Sequence, residues 1–157
     1  MLQEQQFGSL LNEETTALHY LSDILKQEYQ ALLKGDIAVI EHVTGKKNEA
    51  LANQTKCMKS RKYFAAQCCA DLSDRGMEQL IASYSNSDDL TASFALLTSL
   101  AEQCHDANRT NGRLIAEKQQ QALLGLDILR QTNKTMPTYS VQGKANNTPS
   151  RKSLGKA

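Results

Sequence analysis

The sequence predicts an all-α fold, an antiparallel bundle of three long helices and one short helix followed by a flexible C-terminal tail. Three observations lead there. Pro occurs twice and Gly eight times in 157 residues, while Leu, Ala, Gln, Glu and Lys are abundant, a composition suited to long helices. Aromatics make up 5% and Trp is absent, too little bulk for a thick globular core, so the apolar material belongs along helix seams. Apolar residues also recur at three- and four-residue steps over stretches of about 30 residues, the period of an amphipathic helix.

The first helix is expected from about Gln3 to Lys34. Leu11, Leu18, Leu25 and Leu32 recur every seventh residue, flanked by Leu10, Ala17, Ile24 and Ala31 and supplemented by Phe7 and Leu21. Glu14 and Glu28 fall on the edge of this stripe. Gly35-Asp36 reads as a stop followed by an N-cap, because Gly accepts the left-handed conformation and Asp can accept from the free amides of a following helix. So short a connection makes the first two helices antiparallel neighbours. The second helix follows from about Asp36 to Ala70, with Ile37, Ile40, Val43, Ala50, Leu51, Met58, Phe64 and Ala65 in its stripe. Lys47, Gln54 and Arg61 lie beside that stripe at seven-residue spacing, where long cationic stems can cover apolar surface while their heads reach water.

Between Leu72 and Asp89 polar and small residues interrupt the pattern. Met77, Leu80, Ile81 and Tyr84 still keep helical spacing, which predicts a short helix over about Arg75–Tyr84. Ser87-Asp88-Asp89 then supplies an N-cap for the third long helix, expected from about Asp89 to Thr132. Its stripe passes through Leu90, Phe94, Leu97, Ala101, Cys104, Asn108, Asn111, Ile115, Lys118, Ala122, Gly125 and Leu129. Thr98-Ser99 stand where bulkier apolar residues would be expected, and two asparagines thin the seam at its middle. Beyond Asn133 the pattern stops. Pro137, Gly143, Pro149 and Gly155 mark a flexible tail, so the chain divides into a helical bundle domain, 1–133, and a basic tail, 134–157.

The formal charge of +1 conceals an asymmetry. Residues 1–133 carry 13 Lys/Arg against 17 Asp/Glu, a net of −4, whereas residues 134–157 carry five bases and no acid. The tail's bases are scattered and accompanied by a single aromatic, Tyr139, a poor match to a nucleic-acid-binding surface. No nucleic-acid partner is expected. The N-terminus lacks a cationic segment followed by an apolar run, and no stretch approaches the roughly 20 apolar residues of a membrane span. A cytoplasmic location without membrane insertion is therefore expected, with Cys57, Cys68, Cys69 and Cys104 as free thiols.

Chemistry-bearing motifs are absent. Glu102-x-x-His105 resembles part of a di-iron bundle motif, but that chemistry needs two such units plus two further inward glutamates, and no second Glu-x-x-His is present. The cysteine spacing does not match a zinc site. Cys104 and His105 are adjacent on a helix and point about 100° apart, so they cannot form a nucleophile–base pair. With no Gly-rich phosphate loop and no Gly-x-Ser-x-Gly, neither catalytic residue, cofactor nor metal ligand is assigned. A protein that is not an enzyme is expected.

The informative cluster runs from Asn108 to Ile115. Asn108 and Asn111 are three residues apart, so both are expected on the seam. They read either as register-setting polar residues inside the bundle or as hydrogen-bonding groups for a partner in an open groove. Gly112 in mid-helix costs up to about 1 kcal/mol against Ala, tolerable where another backbone comes close or the helix bends.

At this cluster the sequence resembles the FlgN family. Asn108-x-x-Asn111-Gly112-x-Leu114-Ile115, then Ala122-Leu123, Ile128-Leu129-Arg130, Tyr139 and Gly143, is similar to that family's C-terminal signature. Leu25-x-x-Glu28-x-x-Ala31-Leu32 before Gly35-Asp36, with Lys47-x-x-Ala50-Leu51 after it, looks like its opening two helices. The resemblance implies a type III flagellar export chaperone. Such a protein would bind terminal helical segments of hook–filament junction proteins without ATP, prevent their premature assembly and pass them to the export gate. On this reading Asn108, Asn111, Gly112, Leu114, Ile115, Leu126 and Leu129 contact the junction proteins. Tyr139 and Gly143 match the tail motif, a candidate contact for the flagellar type III export gate. The free protein is expected to be a monomer or weak oligomer. The rival reading is a helical coiled-coil adaptor or self-associating structural protein.

Overall fold

The structure, a computed structural model, describes residues 2–69 and 71–135. Four helices and no strand occur among the described residues: α1 Leu2–Lys34, α2 Ile37–Cys68, α3 Asp74–Ala82 and α4 Ser87–Thr135. The three long helices and the short one are those the periodicity predicts. Ends differ by a few residues. The short helix begins at Asp74 because Ser73 caps it, its side chain accepting from the amide of Gly76. The last long helix begins two residues before Asp89, so Asp88 and Asp89 lie in its first turn, next to the positive end of the helix dipole. It also runs two residues past the expected boundary at Asn133. The remainder of the predicted tail, Tyr139 and Gly143 included, lies outside the described residues.

The chain divides into two compact units, Met1–Glu117 and Lys118–Ala157. In the first, α1 and α2 form a hairpin whose turn is built as the sequence requires. Gly35 has φ 72°, and its amide donates to the Ala31 carbonyl at 2.9 Å. Asp36 then accepts from the Val39 amide at 3.2 Å. Cross-links pair ascending α1 residues with descending α2 residues, Glu14 with Arg61 and Glu28 with Lys47, so these helices are antiparallel. Links from α1 to α4 ascend in both: Cys104 donates to the Leu18 carbonyl and Asn111 to the Leu25 carbonyl. Helices α1 and α4 are therefore parallel, completing an up–down–up bundle.

The core is made of Phe7, Leu11, Leu18, Leu21 and Leu25 of α1, Ala50, Phe64 and Ala65 of α2, Met77, Leu80 and Ile81 of α3, and Leu90, Leu97, Leu100 and Cys104 of α4. Scarce aromatics are concentrated at one end, where Phe7 stacks on Phe64 with centroids 5.9 Å apart and lies 6.1 Å from Tyr84. The short helix belongs to that end. Gly76 is obligatory there, because a Cβ would strike the backbone carbonyl of Asp71. The phenol oxygen of Tyr84 is buried without a hydrogen-bond partner. Burial, with Cys68 and Cys69 nearby, pushes its pKa up to about 12.

Candidate partner-binding site

Two polar layers interrupt the apolar core of the first unit. In one, the Arg61 guanidinium donates to both carboxylate oxygens of Glu14, at 2.5 and 3.4 Å, and lies 5.8 Å from the centre of the Phe94 ring. In the other, Lys47 donates to Glu28 at 2.7 Å. There Asn111 donates to the second Glu28 oxygen at 2.8 Å and to the Leu25 carbonyl at 2.9 Å. Each layer thus ties α1, α2 and α4 together. Glu28 is fully buried and Asn111 is 1% exposed. A buried carboxylate is tolerable only when paired and hydrogen-bonded, and these three residues satisfy one another.

The layers revise the expected orientation of several side chains. Glu14 and Glu28, expected on the edge of the α1 stripe, are buried. Lys47 and Arg61 do not lift their heads into water but turn them inward onto those carboxylates. Both α1 acids would otherwise be buried unpaired, and that penalty exceeds the gain from hydrating the cations. Asn108 is exposed rather than on the seam. The seven-residue series Leu97, Cys104, Asn111 faces α1, and Asn108 lies about 60° around the helix from Asn111.

The expected site residues therefore fall in different environments. Leu114 and Ile115 are half-buried, Gly112 is exposed, and a Cβ at Gly112 would meet nothing within 4 Å. Asn111 lines a groove of about 250 Å³ together with Leu25, Tyr29, Ala107 and Thr110. This groove follows the α1–α4 seam directly over the inner polar layer. Tyr29 contributes an exposed aromatic face that the sequence reading overlooked. Its only signal was an aromatic one position after the buried Glu28.

In the second unit the described residues, 118–135, form the last turns of α4. Leu126 is 49% and Leu129 63% exposed, and Leu123, Leu124 and Ile128 are also exposed. In the seam pattern Ile128 widens the α4 stripe, whereas Leu123 and Leu124 are given no role. They could have been found by noting that five large apolar residues lie between positions 123 and 129, too many for one seam face. Such a helix, apolar around most of its circumference, is of the kind normally covered by other helices.

Among the described residues no group of three or more His, Cys, Asp or Glu could hold a metal ion. His105 is exposed, with only an outlying Asp106 contact at 3.8 Å. The four cysteines are free. Burial pushes the Cys104 thiol up, and burial with Glu13 and Glu14 does the same at Cys57, so neither is an activated nucleophile. Among the described residues no helix is long and apolar enough to cross a membrane.

Comparison with known proteins adds two findings. The FlgN protein family matches the chain over residues 1–147. Among solved structures, the crystal structure of a protein described as a flagella synthesis protein FlgN, from Pseudomonas aeruginosa, is similar with a TM-score of 0.62. The match covers 75% of this chain and 92% of that one at 22% identity, which speaks for a shared fold. No curated protein matches the chain.

Proposed function

Since the chain belongs to the FlgN family, we propose that it is a cytoplasmic export chaperone for the flagellum, binding terminal helical segments of hook–filament junction proteins and passing them to the type III export gate. One observation carries this reading: the five large apolar side chains of α4 between Leu123 and Leu129 that the described residues leave exposed. An amphipathic helix offered by another chain would cover them by helix-in-groove recognition, which needs neither loops nor catalytic groups. Covering the exposed half of five such side chains, together with the matching face of the partner, gains on the order of 10 kcal/mol. Association and the ordering of a flexible segment take back much of this, so micromolar affinity is expected.

In this reading Leu126 and Leu129 touch the cargo, with Asn108, Gly112, Leu114 and Ile115 contributing along the same helix. Asn111 positions the groove through Glu28 and Leu25. Tyr139 and Gly143 remain assigned to the export-gate contact. The test is calorimetric titration of the full chain with the terminal segments of hook–filament junction proteins from its own organism, flagellin segments serving as the control. Saturable one-to-one binding to the junction segments alone, abolished by Leu126→Asp/Leu129→Asp, supports the proposal. Absence of binding to either set refutes it. The same exposed apolar face would suit a second copy of the chain. A species that stays dimeric on dilution in sedimentation analysis would favour that rival.

A further inference from the structure

A second groove, of about 490 Å³, lies between α3 and α4. Ile81 and Phe94 line it as buried and half-buried surface, and Ala95 adds a small exposed one. Three exposed carboxylates, Asp74, Glu78 and Glu102, surround this apolar strip, and no Lys or Arg lines it. None of the three carboxylates has a hydrogen bond or ion pair within the described residues. The nearby Arg61, under the Phe94 ring, is already neutralised by Glu14.

The shape suits a helix. Along α4 the wall advances in three- and four-residue steps from Thr91 to Glu102, a run of roughly 16 Å or three turns. Small side chains fill its middle. The Thr98 hydroxyl donates to the Phe94 carbonyl at 2.9 Å and Ser99 accepts from Gln103 at 3.2 Å. The Thr98 donor is thus satisfied within its own helix, while the Ser99 oxygen accepts there and keeps its O–H free to donate to an incoming chain. The Thr98-Ser99 pair that looked out of place in the sequence is what leaves room for a backbone to come close.

We propose that the α3–α4 groove docks a cationic amphipathic helix of a partner protein, its apolar face on Phe94 and Ala95 and its Lys or Arg heads on Asp74, Glu78 and Glu102. Charge complementarity selects this occupant. A purely apolar helix would desolvate the carboxylates without compensation, and an acidic one would be repelled. The site is separate from the α1–α4 seam and from Leu123–Leu129, so it stands or falls independently of the cargo reading.

The test uses the full chain carrying Leu123→Ser, Leu124→Ser, Leu126→Ser, Ile128→Ser and Leu129→Ser, which removes the competing apolar surface without adding acids. The probes are synthetic Leu/Lys and Leu/Glu amphipathic helices of about four turns. The expected result is one-to-one binding of the Leu/Lys probe only. Glu78→Lys/Glu102→Lys should weaken it about tenfold, since each exposed pair contributes about 0.2–1 kcal/mol. Ala95→Trp, which fills the groove from an exposed position, should do the same, with circular dichroism and melting unchanged in both variants. Three results would overturn the proposal: no binding, binding indifferent to both variants, or displacement of the probe by a synthetic peptide of residues 136–157. The last would make this chain's own basic segment the occupant.

Discussion

Replacing Asn111 by Leu tests how tightly the inner polar layer is coupled. On size and hydrophobicity alone the change looks favourable, since a buried Leu contributes about 1.5–3 kcal/mol. The structure predicts the opposite. Asn111 makes one hydrogen bond to a fully buried carboxylate and one to a backbone carbonyl. Losing the first removes about 1.5–3 kcal/mol and strands a buried carboxylate oxygen, whereas losing the second removes about 0.5–1.5 kcal/mol and leaves the Leu25 carbonyl its helical bond within α1. After allowing for the added apolar burial and some strain from the branched side chain, a net loss of about 2–3 kcal/mol is expected. With an m-value of about 2 kcal/mol per molar urea, the midpoint should fall by about 1–1.5 M at constant m. Removing the whole layer, with Glu28→Leu, Lys47→Met and Asn111→Leu together, should restore most of the loss, because no charge is then left stranded. Urea titrations of both variants followed by far-ultraviolet circular dichroism decide the matter. If Asn111→Leu alone is as stable as the parent, the hydrogen bonds to Glu28 and Leu25 contribute nothing and the coupling argument fails.

Other substitutions probe neighbouring features. Arg61→Met strands Glu14 at 2% exposure and should destabilise by about 3–5 kcal/mol, whereas combining it with Glu14→Leu should recover most of that; a double-mutant cycle in urea measures the difference. Gly112→Ala meets nothing within 4 Å and should raise stability by about 0.4–1 kcal/mol. Gly76→Ala, driven against the Asp71 carbonyl, should lower stability, so paired melting curves should move in opposite directions. Tyr84 titrates near 12 when folded against an ordinary 10. Its folded pKa is the higher one, so its contribution is present below pH 10 and lost as the pH rises toward 12. Tyr84→Phe should flatten that alkaline decline in urea midpoint and, by removing a partnerless hydroxyl, add about 1 kcal/mol at neutral pH.

Much of the fold was legible because it rests on local rules. Gly35-Asp36 could only be a stop and a start, and the Leu11–Leu32 heptads fixed the buried face of α1. What escaped was information that belongs to pairs of helices. Glu14 and Glu28 share a seven-residue series with Phe7 and Leu21, and Lys47 and Arg61 share one with Gln54. The charges could therefore be placed near the seam, but not turned toward one another until the rotation of α2 about α1 is known. Asn108 shows the converse failure. Three-residue spacing from Asn111 permits a shared face, yet the buried series Leu97, Cys104 and Asn111 turns toward α1 and leaves Asn108 exposed. Of the candidate site, Leu126 and Leu129 are exposed, whereas Asn111 has both amide donors committed internally. Tyr29 and the α3–α4 groove depend on how separate helices pack on one another, and no single-helix pattern announces them.

The order of charges along the hairpin also gives the protein a sense of its own identity. Glu14 and Glu28 stand two heptads apart on α1, and their partners Arg61 and Lys47 stand two heptads apart on α2. A slide by one heptad would set Glu14 against Gln54 and Glu28 against Ile40, burying four ions without counterparts at several kcal/mol apiece. An intruding amphipathic helix with the right Leu pattern but the wrong charges would meet the same rejection, as would a partner copy exchanging helices in any but the native alignment. On the proposed chaperone reading, such a rule keeps a bound client helix from being mistaken for a piece of the bundle itself. Two buried acids, each answered by one base, act as the password.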